Sequence, residues 1–340
     1  MEVLIVGKAG GTHIGQSLYR AADNLELEAH FCDAGGAYDA PWILRTINWH
    51  LLGHRPPYLR SFSKKVVEHC RRTSPDCLLT TGLAPVRDKA LRSIGDMGVR
   101  RLNFLTDDPW NSSHRASWFF NALPEYDIVF TPRQANKNQL QSVCPNVEYL
   151  PFGYDDHLFY REDLTREEQE ELHSEVLFVG GADEDRVPFI RSLHDEGLKV
   201  ATYGGYWDDY PSVSSCSRGF GDPGTIRKAT QAADISLCLV RQANRDGHVM
   251  RSLEIPASGS AMLVEDTDEH RALFGTDQQR VRYFSTPNSM VQQAKALLQK
   301  PKERQLLAER IHEHIVGRGA HTYADRLRQM IEHTAEVECK

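Results

Sequence analysis

The chain has 340 residues, 40% apolar and 26% charged, with a formal net charge of −7. That is length enough for two domains with packed cores. The acidic balance argues against nucleic-acid binding, for which domains are usually basic. No run of about eighteen apolar residues exists, which excludes a spanning helix.

The N-terminal "MEVLIVGKAGG" carries Glu2 where a signal peptide would carry a basic residue, so it reads as a first strand. Further strands are expected at 28–32, 76–81, 101–106, 126–131 and 147–152, with helical spacing over 14–24 and 60–72. Residues 34–60, with Trp42, Trp49, Pro56 and Pro57, read as a helical excursion. Composition turns charged over 151–172, the candidate hinge. The pattern then restarts, with strands at 175–180, 198–204, 235–240, 261–265 and 281–284 and helices at 185–196, 224–232, 248–257 and 289–298. The tail from Lys302 to Glu336 reads as helix with a break at Gly317–Gly319. Alternating strands and helices imply an α/β protein built as two Rossmann-like halves. The expected domains are 1–155, 172–318 and a C-terminal helix, 319–340, packing back toward the first. Ligands of such sheets sit beyond the carboxyl ends of the strands, so an interdomain cleft is the expected site.

Cys32, Cys70, Cys77, Cys144, Cys216, Cys238 and Cys339 are dispersed without a C-x-x-C pair, which favours reduced thiols in a cytoplasmic protein. No strongly basic amphipathic segment argues for peripheral membrane attachment.

The first strand ends in "GKAGGTHIG", where Gly10 and Gly11 let backbone approach a ligand and His13 is placed for general-base work. A tight turn capped by His13 explains the same residues. The spacing is not that of a dinucleotide fingerprint, and Asp33 is the nearest candidate ribose ligand. "TDDPWN" supplies Asp107 and Asp108, which suit ligand binding or acid–base work, or equally a turn before Pro109. In the second half Gly180 and Gly181 permit close approach, and Arg186 is suited to a phosphate. Tyr203, Gly204, Gly205, Tyr206 and Trp207 end the next strand, where an aromatic ring could stack on a base or fill the core. In "RDGHVMRSLEIPASGS" a helix starting near His248 puts Arg251 and Glu254 on one face. Its N-terminus offers amides to an anion, Arg251 a fork for a diphosphate, and Glu254 an acceptor for a ribose diol. Asp246 then faces whatever lies beyond the phosphates; Ser258 and Gly259 follow. The competing reading is a surface ion pair.

"RSLEIPASGSAMLVEDTDEHRALF" (251–274) closely resembles the C-terminal signature of the spore-maturation (CgeB-like) glycosyltransferases, related to the retaining family of sucrose and glycogen synthases. "LNFLTDDPW", "YLPFGYDDHLF", "EVLFVGGADEDR" and "HTYADRLRQMI" match in order and spacing over nearly the whole chain. The resemblance implies a GT-B fold, with two Rossmann-like domains across a cleft closed by C-terminal helices. It implies transfer from a nucleotide-diphosphate sugar, a co-substrate rather than a cofactor, to a hydroxyl acceptor: a small molecule, glycan or lipid-linked glycan. No metal is expected. The family's acidic residue, seven residues, Glu motif maps to Asp246 and Glu254, with Asp for the usual first Glu; His248 goes with Asp246 at the sugar ring. A non-catalytic nucleotide-sugar-binding module and a nucleotide-sugar epimerase are the alternatives; an oxidoreductase is a distant third.

Overall fold

The computed structural model describes residues 1–337, so Cys339 lies outside the described residues. The chain divides into two compact units. Unit 1 comprises Met1–Pro151, Ala243–Arg245 and the segment from Tyr323; unit 2 comprises Phe152–Gln242 and Asp246–Thr322.

Unit 1 holds a parallel sheet of β1 (Glu2–Gly7), β2 (Glu28–Asp33), β3 (Cys77–Thr81), β4 (Arg100–Phe104), β5 (Ile128–Thr131) and β6 (Val147–Tyr149). Their order is β2-β1-β3-β4-β5-β6. Strands covered on both faces read as unbroken apolar runs, which is why Val3–Val6 and Cys77–Leu79 are all buried. Because every pair is parallel, all carboxyl ends lie on one edge, with Val6 level with Cys32 and Thr80. On that edge Asn103 Nδ2 donates to Thr80 Oγ1 (2.7 Å) and to the Gly82 carbonyl (3.0 Å), fastening β4 to the turn after β3. The C-terminal helix Tyr323–Val337 packs against the helix Ile14–Asn24.

Unit 2 holds β7 (Val176–Val179), β8 (Val200–Tyr203), β9 (Ile235–Cys238), β10 (Met262–Glu265) and β11 (Arg282–Phe284), parallel in the order β11-β10-β9-β7-β8. The stretch expected as a hinge is packed instead: Phe152, Tyr154, Asp155 and Phe159 are buried within unit 2. At its end Thr165 and Glu168 form a capping box on the helix Arg166–Leu172, which packs on the helix Pro223–Ala232 through Gln169 Nε2 donating to the Ala232 carbonyl (3.1 Å). The helix expected at 248–257 runs Arg251–Ser258. It starts late because the Ser252 hydroxyl accepts the Val249 amide (3.1 Å), closing a turn in front of it. It stays short because Pro256 brings no amide and Gly259, at φ 83°, caps it. In the tail, the helix Pro301–His312 ends in a π turn at Glu313–Gly317, and helix resumes only at Tyr323.

The glycine loop of unit 1 is set by one close approach. A Cβ on Gly15 would lie 2.7 Å from the Gly7 Cα, and one on Gly7 would lie 2.6 Å from the Gly15 Cα. Gly15→Ala is expected to cost about 1–3 kcal/mol, the usual penalty of overpacking, read as a lowered urea midpoint. An unchanged midpoint would mean that this contact does not hold helix to strand.

Candidate functional site

In unit 2 the candidate residues gather at the carboxyl ends of β7, β9 and β10. Arg186 is anchored there by its own backbone, since its amide donates to Asp183 Oδ1 (2.9 Å). Its Nη1 donates to the Gly181 carbonyl (3.2 Å), and its guanidinium carbon lies 5.7 Å from the Phe178 ring centre. The Asp183 carboxylate stands off at 3.6 Å. Nε is buried with no hydrogen-bond partner. Burial pulls this guanidinium below its ordinary pKa; Asp183 opposes that shift, Arg241 adds to it and Asp246 opposes it. Arg241 and Asp246 are therefore within electrostatic reach. At the end of β10, Glu265 accepts the Val240 amide (3.0 Å) and Gln242 Nε2 (3.1 Å). Burial raises its pKa, against those hydrogen bonds and Arg186. The result is a buried cation with a donor in reserve, a second arginine and two carboxylates.

The helix Arg251–Ser258 follows β9. Arg251 and Glu254 pair on one face, with Glu254 only 3% exposed and the Arg251 guanidinium 5.6 Å from the Phe159 ring centre. The expected ion pair is formed, with its carboxylate inside rather than at the surface.

Several expected ligand contacts are corrected by the geometry. His248 is fully buried: its Nε2 accepts the Phe152 amide (3.1 Å), which leaves Nδ1 to donate to Glu269 (2.6 Å). Both ring nitrogens are occupied, so it is a strut rather than a sugar contact. No helix N-terminus exists at Gly247–His248, and the Gly247 carbonyl accepts the Thr267 hydroxyl (2.5 Å). Ser258 is buried and donates to the Glu254 carbonyl (2.9 Å), while Gly259 serves as the cap. The Gly180 amide donates to the Tyr203 carbonyl (2.8 Å), and the Gly180 carbonyl accepts the Trp207 indole (2.9 Å). The Gly204 amide donates to the Gly219 carbonyl (2.9 Å). The amides of Gly180 and Gly204 are thus taken up in joining strand ends. Tyr203 and Trp207 are buried in the core. The rings left outside are Tyr206, 73% exposed at φ 71°, and Phe220, 85% exposed. They flank the glycine turns: Cβ atoms on Gly181 and Gly205 would lie 3.9 Å from the Tyr206 ring and 3.1 Å from the Phe220 ring.

In unit 1, Asp33 accepts the Ala9 amide (3.1 Å) and the Gly35 amide (2.9 Å), so it braces the glycine loop instead of waiting for a ribose. Gly10 and Gly11 hold φ of 80° and 51° with open space around them, and His13 is exposed at the head of its helix. Its pKa is lowered by desolvation first and Lys8 second, against Asp33; the imidazole is therefore neutral, and competent as a base, at pH 7. Asp107 and Asp108 part company. Asp108 is buried and ion-paired with Arg245 Nε (2.5 Å), and it also accepts the Trp110 amide (3.2 Å). Asp107 is half-buried, 3.4 Å from Asn244 Nδ2. It lines a cavity of about 210 Å³ together with Trp49, His54, His114 and Trp118.

Sequence reasoning missed Arg241, Phe220 and the tripeptide Ala243–Arg245, whose Asn244 accepts from Asn111 Nδ2 (2.7 Å). Position directly after an expected strand could have flagged Arg241; nothing local marks the others. Among the described residues, one trio brings metal-ligating atoms together: Glu2, Glu28 and His30 at the starts of β1 and β2. It sits at the amino ends of those strands, away from the glycine loops.

Residues 186–332 match the family described as glycosyl transferase-like. No curated protein sequence matches. The chain is similar in structure to a sucrose-phosphate synthase from Thermosynechococcus elongatus, at TM-score 0.72, 10% identity and coverage of 100% of this chain and 99% of that one. An α,α-trehalose 6-phosphate synthase from Burkholderia multivorans gives 0.59 and 12%, covering 100% and 98%. A UDP-GlcNAc 2-epimerase from Neisseria meningitidis, bound to UDP-GlcNAc, gives 0.54 and 13%, covering 99% and 100%. The fold, two parallel-sheet α/β domains, is that of GT-B glycosyltransferases.

Below the site lies a histidine whose burial carries a pH dependence. His270 Nδ1 contacts the Glu265 carbonyl (2.8 Å) and Nε2 the Ser252 hydroxyl (2.8 Å). Burial pushes its pKa down to about 3. A folded value below the unfolded one, about 6.5, means that stability is complete above pH 6.5 and is lost as pH falls toward 3. The expected loss is about 2 kcal/mol at pH 5 from this group alone. Urea titrations at pH 7 and pH 5 should show that loss in the native chain and a smaller one in His270→Gln; equal losses would remove the assignment.

Proposed function

We propose that the chain is a CgeB-like glycosyltransferase of the cytoplasm, moving a sugar from a nucleotide-diphosphate sugar to a hydroxyl acceptor without a metal. The observation carrying this reading is the largely buried Arg186 guanidinium, whose Nε is sealed without a partner and which feels the charges of Arg241 and Asp246 at the strand ends of unit 2. A buried cation holding a donor in reserve suits an anion, and two arginines suit a diphosphate. As the nucleotide departs, negative charge grows on its diphosphate, and fixed guanidinium groups stabilise that charge in place of a metal. Glu254, held by Arg251, accepts the ribose hydroxyls; Arg251 thus orients that carboxylate rather than gripping phosphate. Tyr206 and Phe220 offer faces for the base, and Asp246 takes the donor sugar at the short reach of an Asp. On the acceptor side, Asp107 in its cavity orients the hydroxyl, with His13 as the neutral base beside the open loop of Gly10 and Gly11. The unbridged state of the six described cysteines suits a reducing compartment.

Nucleoside diphosphate release from a panel of nucleotide sugars, with and without alcohol acceptors, tests the reaction. Acceptor-dependent release supports transfer. A sugar isomerised without acceptor would mean an epimerase, and binding with no turnover would mean a binding module. Arg241→Ala and Glu254→Gln are each expected to weaken uridine or guanosine diphosphate binding about tenfold or more, roughly 1.4 kcal/mol, with little change in melting temperature. Tyr206→Ala and Phe220→Ala should each cost about five- to tenfold, as loss of a stacking face does. Unchanged binding in Glu254→Gln would remove the ribose assignment.

A further inference from the structure

The helix Trp42–Leu51 has no buried residue. Its sequence, WILRTINWHL, is apolar around most of its circumference: Trp42 is 68% exposed and Leu51 76%, and Ile43, Leu44, Ile47, Trp49 and the following Leu52 are exposed too. A helix apolar all round is ordinarily buried in a core or in lipid. Ten residues are also too few to hold a helix in water without packing. The surface that completes this helix is therefore not supplied by its own unit.

Charge identifies that surface. Between residues 40 and 73 the chain carries Arg45, Arg55, Arg60, Lys64, Lys65, Arg71 and Arg72 against Glu68 alone, in a protein of net charge −7. The Arg55 amide donates to the Asn48 carbonyl (3.2 Å), which fixes that arginine at the end of the apolar helix. The next helix, Leu59–Thr73, opens with exposed Arg60 and lines a cavity of about 580 Å³ with Arg60, Lys64, Lys65 and Arg71, opposite Arg87 and Lys89. Among the described residues, only Arg71 and Arg87 of these have a carboxylate within ion-pair reach, Glu68 at 2.8 Å and Asp88 at 4.0 Å.

We propose that the helix Trp42–Leu51 and the basic residues of the segment that follows it dock unit 1 on an anionic phospholipid surface. Tryptophans and leucines enter the headgroup boundary while neighbouring lysines and arginines meet lipid phosphates. A second copy of the chain is the poorer occupant, because a twofold contact would set Arg45, Arg55 and Arg60 against their own images. Trp49 is also a wall of the Asp107 cavity, so docking brings that cavity beside the lipid. The inference is independent of the transferase reading, and its test uses no donor.

Sedimentation of the full chain with vesicles of phosphatidylcholine, alone or mixed with phosphatidylglycerol, provides the test. Binding is expected to the mixed vesicles only, and to fall as salt rises. Trp42→Ser with Leu51→Ser, and separately Lys64→Glu with Lys65→Glu, should each lower the partition coefficient about tenfold or more through lost apolar area or lost attraction. Both pairs are exposed, so melting temperature should hold. Wild-type protein remaining in the supernatant with both vesicles would overturn the proposal, as would undiminished binding by both variants. A concentration-dependent dimer abolished by Trp42→Ser would give the face to a second copy and overturn it as well.

Discussion

A carboxylate taken out of water has to be matched by a cation, and Glu254 is the point where this chain meets that demand. Buried to 3% exposure, it has the Arg251 guanidinium on the same helical face. An unpaired charge in that position would cost several kcal/mol, so the spacing of three residues constrains everything around it. The helix must begin by Arg251, and the chain before it is drawn into hydrogen bonds that lead away from helix. Thr267 holds the Gly247 carbonyl, Glu269 and the Phe152 amide hold His248, and Ser252 links the Val249 amide to His270. Pro256 and Gly259 end the helix within two turns. A short, braced helix with a buried acceptor in its first turn is a rigid feature, and rigid donors and acceptors are what recognition of a polar ligand needs.

The parallel sheets then decide where chemistry can gather. Each strand ends on the same edge as its neighbours, so the loops after β7, β8, β9 and β10 crowd together. Glycine relieves that crowding. Gly180 and Gly204 sit so close that the Gly204 position has no room for a side chain beside the Gly180 carbonyl. Their polar groups are consumed in joining the strands, and the edge offers side chains instead: Arg186, Arg241, Asp246, Tyr206 and Phe220. Unit 1 follows the same logic with Gly7 and Gly15, and its edge presents the opposite chemistry, with Asp107 and an imidazole where unit 2 presents guanidinium groups.

This division explains which parts were legible in the sequence. The strands were legible because a parallel sheet covered on both faces needs continuous apolar runs; "EVLIVG" and "EVLFVG" cannot be mistaken. Arg251 and Glu254 were legible because helical spacing puts them on one face. Spacing says nothing, however, about which side chain is sealed. His248, Tyr203, Ser258 and Asp108 look as suitable for ligands as their neighbours, yet all four are buried, and His248 and Asp108 are held by partners brought from elsewhere in the chain. For Asp108 that partner is Arg245, 137 residues away, a separation no local pattern reports. Tyr206 and Trp207 show the same limit in one dipeptide: the left-handed backbone at Tyr206 turns its ring outward while the Trp207 indole reaches the Gly180 carbonyl.

Whole-chain charge has a similar blind spot. A net charge of −7 argues against a surface built for nucleic acid, but it averages over thirty-odd residues that hold seven basic side chains and one acidic one. Amphipathicity hides the same region for a different reason. The apolar residues lie on one helix and most of the lysines on the next, so neither segment alone has the profile of a membrane-surface helix. The turn at Arg55–Tyr58 ties the end of the first helix to the start of the second and so links the two sets of residues. Such a link follows from tertiary connection, and its properties belong to the pair of helices rather than to either sequence window.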